Sequence, residues 1–386
     1  MLNTISAAAP LEQAAIPMQD LIAHHEPLRA VLEAAALRVL ASGRYIDGPE
    51  VASFEGEAAA VLGARHAIGV SSGTDALLAV LMACGIKPGD EVVTTPFSFF
   101  ATVGAIVRLG ATPVFADVDP ATLNLDPAAA VERMGARTKA VLVVHLFGRM
   151  ADTTPIEAAC ARMGIPLIED AAQAIGAQQG GVGSRGGRRV GDLGQAAALS
   201  FFPSKNLSGF GDAGMVLTDD PALARRIRSL RVHGAGPKYH HPLVGGNFRL
   251  DELQAALLRV KLPHLARWSA RRRRLADRYR TALAAAPIGL PPDDPGCVWN
   301  QFVVRIPEGR RDALRSHLAD QRIASAIYYP EPLHLQPCLH DLGGRPGDHP
   351  NAESACADVL ALPIHPELPD QAVDRVCQAI GDFLER

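Results

Sequence analysis

The chain has 386 residues, 38 Lys+Arg against 41 Asp+Glu, a formal charge of −3, 48% hydrophobic and 20% charged residues. This composition excludes a mainly disordered chain, and the near-neutral balance argues against a dedicated nucleic-acid binder. A chain of this length buries a large core without disulfides or metals, and it suggests two domains.

The N-terminal text, MLNTISAAAPLEQAAIP, has neither a basic n-region nor a continuous apolar h-region, so no secretory signal is expected. No run of 18 uninterrupted apolar residues occurs, so no membrane span is expected. The apolar stretch 92–107 is broken by Thr94, Thr95, Pro96, Ser98 and Thr102 and reads as strand, turn and helix. Six cysteines (Cys84, Cys160, Cys297, Cys338, Cys356, Cys377) are scattered without a CxxC pair. They read as reduced thiols, and a cytoplasmic location follows as the default.

In chain order, residues 67–70 read as a strand, 75–84 as a helix, 91–95 as a strand, 99–109 as a helix and 113–116 as a strand. The apolar run AVLVV (140–144) reads as a buried strand, followed by a helix over 153–163 and a strand over 165–170. Segments 196–201 and 215–218 read as two more strands. Such alternation predicts an α/β fold, with a mainly parallel sheet and helices on both faces. Functional residues in such sheets gather at the carboxyl ends of the strands. Beyond Pro263 the text turns into an arginine-rich helix, then a proline-rich break over 287–295, then a shorter α+β pattern. The expected division is a large domain over 1–262, with an N-terminal helical segment, and a smaller α+β domain over 263–386.

Some patterns mislead. Residues 181–186 fit G-x-G-x-x-G, but Gln178-Gln179-Gly180 precedes and Arg188-Arg189 follows. Without a strand before and a helix after, this reads as a loop, which weighs against a nicotinamide-dependent dehydrogenase. The run 271–274 of four arginines reads as a solvated helix face. His24-His25 and His240-His241 are adjacent pairs without helical i,i+4 spacing, so no metal site is expected.

Three segments carry chemistry together. Ser71-Ser72-Gly73-Thr74-Asp75 stands where a strand passes into a helix, where exposed backbone N–H groups bind phosphate; alone it reads as an ordinary N-cap. Asp170 closes the strand text IPLIED, with Gln173 just after it. Lys205 follows the strand text ending at Ser200, in a chain with only five lysines (Lys87, Lys139, Lys205, Lys238, Lys261) beside 33 arginines. A phosphate cradle, a carboxylate and a lysine are the parts pyridoxal 5′-phosphate (PLP) requires. The lysine forms a Schiff base, the carboxylate keeps the pyridine nitrogen protonated, and the cradle anchors the phosphate.

With these segments the chain resembles the DegT/DnrJ/EryC1/StrS family of sugar aminotransferases. The matching text is GVSSGTDALLAVLMACGIKPGDEVVTTPFSFFAT (69–102), GATPVFADVDPATLNLD (110–126), VVHLFGRMAD (143–152), IEDAAQAIGA (168–177), LSFFPSKNLSGFGDAGMVLTDD (199–220), GGNFRLDELQAALLRVKLPHLARW (245–268) and YYPEPLHLQPCL (328–339). The resemblance implies the PLP-dependent aspartate-aminotransferase fold (fold type I). It makes Lys205 the Schiff-base lysine, Asp170 the pyridinium partner and Gln173 a neighbour of the cofactor's phenolic oxygen. Gly73 and Thr74 become phosphate-binding backbone, Ser200 adds a hydroxyl, and Phe99 stacks on the pyridine ring. Asn247 reaches the phosphate of a neighbouring subunit, which implies a homodimer with shared sites. Tyr329 and His334 fall on the substrate side. The loop 180–194 falls near the sugar nucleotide, and its Gly/Arg-rich text departs from the commoner version.

The implied reaction moves an amino group from an amino acid, L-glutamate by expectation, to a nucleotide-linked keto sugar. The segments YPEPLHLQP and 245–262 favour amination at C3 over C4. Lysine rather than histidine at position 205 favours transamination over sugar dehydration. A PLP-binding regulatory protein without turnover is the competing reading. It leaves Lys205, Asp170 and Gln173 without a purpose.

Overall fold

The computed structural model describes residues 14–181, 187–237 and 239–385. A seven-stranded sheet forms from β1 (His66–Val70), β2 (Glu91–Thr94), β3 (Thr112–Phe115), β4 (Thr138–Val144), β5 (Leu167–Asp170), β6 (Ala196–Ser200) and β7 (Gly214–Thr218). Their order is β1-β7-β6-β5-β4-β2-β3. β7 runs antiparallel to both its neighbours, and every other adjacent pair is parallel. The mainly parallel α/β sheet expected from the sequence is the one observed. The strand order reverses between β2 and β4, and a crevice at their carboxyl ends is where such sheets place ligands.

The middle strands are buried on both faces, which is why their text is continuously apolar. Alternation assigns the faces. Ala196, Ala198 and Val216 join one core, with Leu142 and Ile168; Ala197, Leu199, Met215 and Leu217 join the other. The helix Gly73–Ala83 packs into the first core with almost its whole length buried. The small side chains of β6 and one glycine permit this approach. A Cβ on Gly214 would meet the Ser72 carbonyl oxygen at 2.3 Å, so any larger residue would push the head of that helix off the sheet.

A second, two-stranded antiparallel sheet pairs β8 (Phe302–Arg305) with β9 (Val359–Leu362). It shares a core with helices Arg311–Asp320 and Asp370–Leu384. The helix Leu265–Ala282 serves both bodies. Leu265 and Trp268 lie in a core of the large sheet, whereas Leu275, Ala276 and Tyr279 lie in the core of the small one. Ile16 bridges to Ile323 and joins that second core as well.

The arginine run departs from the solvated face expected of it. Arg272 is only 4% exposed and donates to the Ile364 carbonyl at 2.7 Å. Arg271 pairs with Asp370 at 2.6 Å. A guanidinium carries five donors, enough to close carbonyls at the seam between the two bodies. Apart from Gly181, the glycine pattern 181–186 lies outside the described residues. His24 and His25 take separate partners, Glu367 and Lys261. No helix among the described residues is long and apolar enough to cross a membrane.

One buried carboxylate ties the front of the chain to its middle. Glu252, 1% exposed, accepts from the amides of Gly48 (2.8 Å), Glu50 (2.8 Å) and Val51 (2.9 Å). It thereby caps the helix Pro49–Leu62 from another helix, Glu252–Lys261. Glu252→Ala should cost about 2–3 kcal/mol, because three amides lose a charged acceptor at a buried helix end. A urea titration reads this as a lower midpoint at unchanged slope; an unchanged midpoint would show that water caps the helix equally well.

Candidate active site

The site grows from the carboxyl ends of β2, β4, β5 and β6. Successive residues of β5 point to opposite faces, so Glu169 and Asp170 part company. Glu169, 0% exposed, turns to His145 Nε2 at 2.9 Å and accepts from the amides of Gly191 (3.1 Å), Leu193 (3.1 Å) and Gly194 (3.0 Å). His145 Nδ1 accepts from the Ala151 amide at 3.1 Å. An acceptor at Nδ1 fixes the proton on Nε2, so His145 donates to Glu169 as the neutral tautomer. This pair closes the far end of the loop that follows β5.

Asp170 turns the other way, to the side that carries Lys205. Thr102 Oγ1 donates to its Oδ2 at 2.8 Å, and the Ala172 amide to its Oδ1 at 3.2 Å. Ser98 Oγ lies 2.8 Å from Thr102 Oγ1 and extends the chain of hydroxyls back to the end of β2. Burial pushes the Asp170 carboxyl above the usual carboxylate range; the Thr102 hydroxyl, the Ala172 amide and the Lys205 amine oppose that rise. A carboxylate has room for about four hydrogen bonds, so Asp170 retains acceptor capacity for a further N–H.

Lys205 lies in the tight turn after β6, where its amide donates to the Phe202 carbonyl at 2.8 Å. Its side chain is half-buried, and its Nζ has no hydrogen bond or ion pair among the described residues. Burial lowers the amine to about 8, with the Asp170 carboxylate pulling the other way. An amine near 8 exchanges protons readily at neutral pH.

The other expected residues divide. Gln173 joins the cluster: its Oε1 accepts from the Phe147 amide at 2.7 Å, and its Nε2 donates to the Tyr329 hydroxyl at 3.0 Å. Tyr329 therefore arrives at the site, and burial raises its phenol well above the ordinary value. Gly73 and Thr74 open the helix Gly73–Ala83, capped by Ser72 Oγ, which accepts from the Asp75 amide at 3.0 Å. A Cβ on Gly73 would meet the Ser200 Cβ at 2.7 Å, so these two backbones stand side by side. Phe99 is 60% exposed, with its ring 6.4 Å from that of Tyr329.

Asn247 is exposed and is placed by a bridge of its backbone to Val232, without a hydrogen bond to this cluster among the described residues. His334 is buried in a separate group. Its Nε2 lies 3.2 Å from Glu353 Oε1 and its ring 4.6 Å from that of His349. Thr102, Ser98, Phe147 and the His145–Glu169 pair escaped the sequence reading. Ser98 and Thr102, four residues apart at a helix head, carried the one available signal.

The parts present fit PLP. The head of an eleven-residue helix, with glycine and serine beside it, suits a phosphate. A buried carboxylate with spare acceptor capacity suits a pyridinium N–H, and an unpaired amine near 8 suits a carbonyl partner. In the cofactor-free chain the Asp170 charge is a burden. A carboxyl whose folded pKa is raised lends stability only while protonated, and that contribution is lost as pH rises through the folded pKa. Cofactor-free Asp170→Asn should therefore melt above the unsubstituted chain at about pH 8, the gap closing near the ordinary carboxylate pKa of about 4. Scanning calorimetry across that range decides it; a lower melting temperature at the alkaline end would mean that Lys205 more than offsets the burial.

Residues 28–381 match the DegT/DnrJ/EryC1/StrS aminotransferase family. A Geobacillus stearothermophilus protein named pleiotropic regulatory protein is 46% identical over 373 residues, covering 95% of this chain and 98% of its own. The dTDP-3-amino-3,4,6-trideoxy-alpha-D-glucose transaminase of Streptomyces venezuelae is 45% identical over 376 residues, covering 96% of this chain and 97% of its own. The crystal structure of S. venezuelae DesV, in complex with a ketimine intermediate, superposes with a TM-score of 0.91 at 45% identity, covering 96% of this chain and 99% of that one. With the lysine, the buried carboxylate and the helix head in the order the motifs demand, the chain belongs to the DegT/DnrJ/EryC1/StrS family of PLP-dependent aminotransferases.

Proposed function

We propose that this aminotransferase carries an amino group from L-glutamate to C3 of a nucleotide-linked keto sugar, releasing 2-oxoglutarate and an amino sugar. The observation that carries the reading is the juxtaposition of the half-buried Lys205 amine, without a hydrogen bond or ion pair among the described residues, and the buried carboxylate of Asp170, near enough for each to act on the other. The 45% identity to a transaminase whose named product bears its amino group at C3 supports the position of attack.

In this reading Gly73, Thr74 and Ser200 hold the phosphate, Asp170 accepts the ring N–H, and Gln173 lies beside the ring with Tyr329 behind it. Phe99 covers one face. Bound PLP supplies the electron sink that lets a proton leave the donor's α-carbon. Lys205 Nζ takes that proton as a base and, in the return half, delivers a proton to C3 of the sugar as an acid. The Thr102 hydroxyl favours the carboxylate form of Asp170 and holds its Oδ2. Tyr329 stands toward the sugar, whereas His334 is buried against Glu353 and His349, apart from this cluster.

The reading extends to a homodimer in the cytoplasm, in which Asn247 of one subunit completes the phosphate site of the other. The exposure of Asn247, and its separation from the cluster within one chain, support this. It also divides the chain at 262/263, with residues 263–386 as the smaller domain. The separate core beneath β8 and β9 supports that division.

Visible absorption of the loaded protein tests the activity. L-glutamate should bleach the cofactor band, and a 3-keto sugar nucleotide should restore it. Lys205→Ala should lose at least about a thousandfold in kcat, the range of a general acid–base group. A band that glutamate leaves untouched would favour a regulatory protein, the description its Geobacillus relative carries. Mixing Lys205→Ala with Asn247→Ala subunits tests the sharing. Two inactive parents should yield about a quarter of full activity, because half the dimers then hold one intact site. No recovery would place Asn247 in its own subunit's site.

A further inference from the structure

The reaction leaves one buried lysine without a task. Lys261 is 0% exposed, in the last turn of the helix Glu252–Lys261. Its Nζ donates to the carbonyl and the hydroxyl of Ser208 and lies 2.9 Å from His25 Nε2. The rings of Phe210 and Trp268 flank it at 5.2 and 5.9 Å. An ammonium has three donors, and three acceptors meet them here. The arrangement is a satisfied, fully enclosed cation, with aromatic faces supplying further attraction.

What it holds is the far end of the turn that carries Lys205. Ser208 is three residues beyond Lys205, and the Gly209 amide donates back to the Phe201 carbonyl at 2.6 Å. The near end is pinned by Gln19 Nε2, which donates to the Ser204 carbonyl at 2.7 Å. Asn300 Nδ2 holds Asn206 Oδ1 at 2.9 Å. Lys205 and Ser208 border the same small cleft, together with His24, Arg272, His365 and Glu367. Of these anchors, Lys261 is the one that titrates.

We propose that Lys261 is a positioning residue for Lys205: by holding Ser208 it fixes where the Lys205 amine stands relative to Asp170. Its catalytic consequence rests on Lys205 being the reacting amine; the placement of that amine by Lys261 does not. The titratable groups that face Lys261 are His25, in contact on the helix Leu21–His25, and Glu367, which His24 Nδ1 meets at 2.7 Å. Burial lowers Lys261 to about 7, opposed by Glu367, and lowers His25 to about 4, with Lys261 adding to that fall. His25 is therefore neutral near pH 7. When Lys261 loses its proton, the remaining amine keeps two donors for Ser208, and its lone pair accepts from His25 once the imidazole carries its proton on Nε2. The grip on Ser208 passes from charge-assisted to neutral hydrogen bonds, which are about half as strong.

The test uses the full chain labelled with ε-¹³C-lysine. Only five lysines contribute signals. Lys261→Met keeps a four-atom apolar stem and removes every donor. In the cofactor-free chain the Lys205 midpoint, near 8, should rise by at least about half a pH unit as the turn loosens and water reaches the amine. In the loaded enzyme kcat should fall about 10- to 100-fold, the scale of a misplaced reacting group, with KM for glutamate within about twofold. A folded Lys261→Met chain with an unmoved Lys205 midpoint and kcat within about twofold would overturn the proposal. If Lys261→Met fails to fold, Ser208→Ala decides: a rise in the Lys205 midpoint supports the proposal, and none overturns it. The resonance of the cofactor-free chain is independent of turnover. A chain that bound no PLP, yet showed the shift, would overturn the aminotransferase reading and leave this one standing.

Discussion

Everything at this site depends on a carboxylate kept where water cannot reach it. Asp170 ends a strand buried on both faces, and its partners among the described residues are one hydroxyl and one amide. Removing a charge from water is costly unless a partner compensates. Two neutral donors compensate in part, and the residual cost appears as a raised proton affinity. That residual is what a pyridinium can use. A fully paired Asp170 would have little to offer it, and an exposed one would be screened. The fold holds the group between those limits, with Lys205 near enough for each to shift the other.

The alternation of β5 makes this possible beside a second buried carboxylate. Glu169 sits one residue earlier and faces the other side of the sheet. There it meets His145 and three loop amides, a set that consumes its acceptors. Two like charges on neighbouring residues would raise each other's proton affinity if they shared a face. Given opposite faces, one becomes a structural anchor and the other a functional group. The phosphate end follows the same economy of space. Gly214 and Gly73 let a helix head stand against β6 and β7, where any Cβ would collide with backbone or with Ser200.

Much of this could be read from the sequence, because it rests on local pattern. Apolar runs marked the buried strands, and the scarcity of lysine drew attention to Lys205. The order of motifs joined Gly73, Asp170 and Lys205 before any contact was known. Residues whose roles depend on distant partners stayed hidden. Glu252 caps a helix about two hundred residues earlier in the chain. Thr102 looked like one more residue of a helix until the fold brought β5 beside it. Arg272 read as surface because nothing local announces that a helix will be wedged between two cores. Lys261 stood out only as one of five lysines, and its partners Ser208 and His25 come from segments far apart in sequence.

The helix Leu265–Ala282 supplies the remaining constraint. Its first turns belong to the large sheet's core and its later turns to the small sheet's core. A rigid rod anchored at both ends limits independent motion of the two bodies. Tyr329 reaches Gln173 from the small body, Asn300 reaches the Lys205 turn from the segment just before β8, and Arg272 of the rod itself holds Ile364. None of these hydrogen bonds touches Gly73, Thr74 or Asp170. A displacement of the small body would therefore disturb Gln173 and the Lys205 turn together while sparing Gly73 and Asp170. On the proposed roles, the architecture separates a fixed half, for the phosphate and the ring nitrogen, from an adjustable half, for the amine and the substrate. That separation suits a reaction in which one site must accept two unlike substrates in succession.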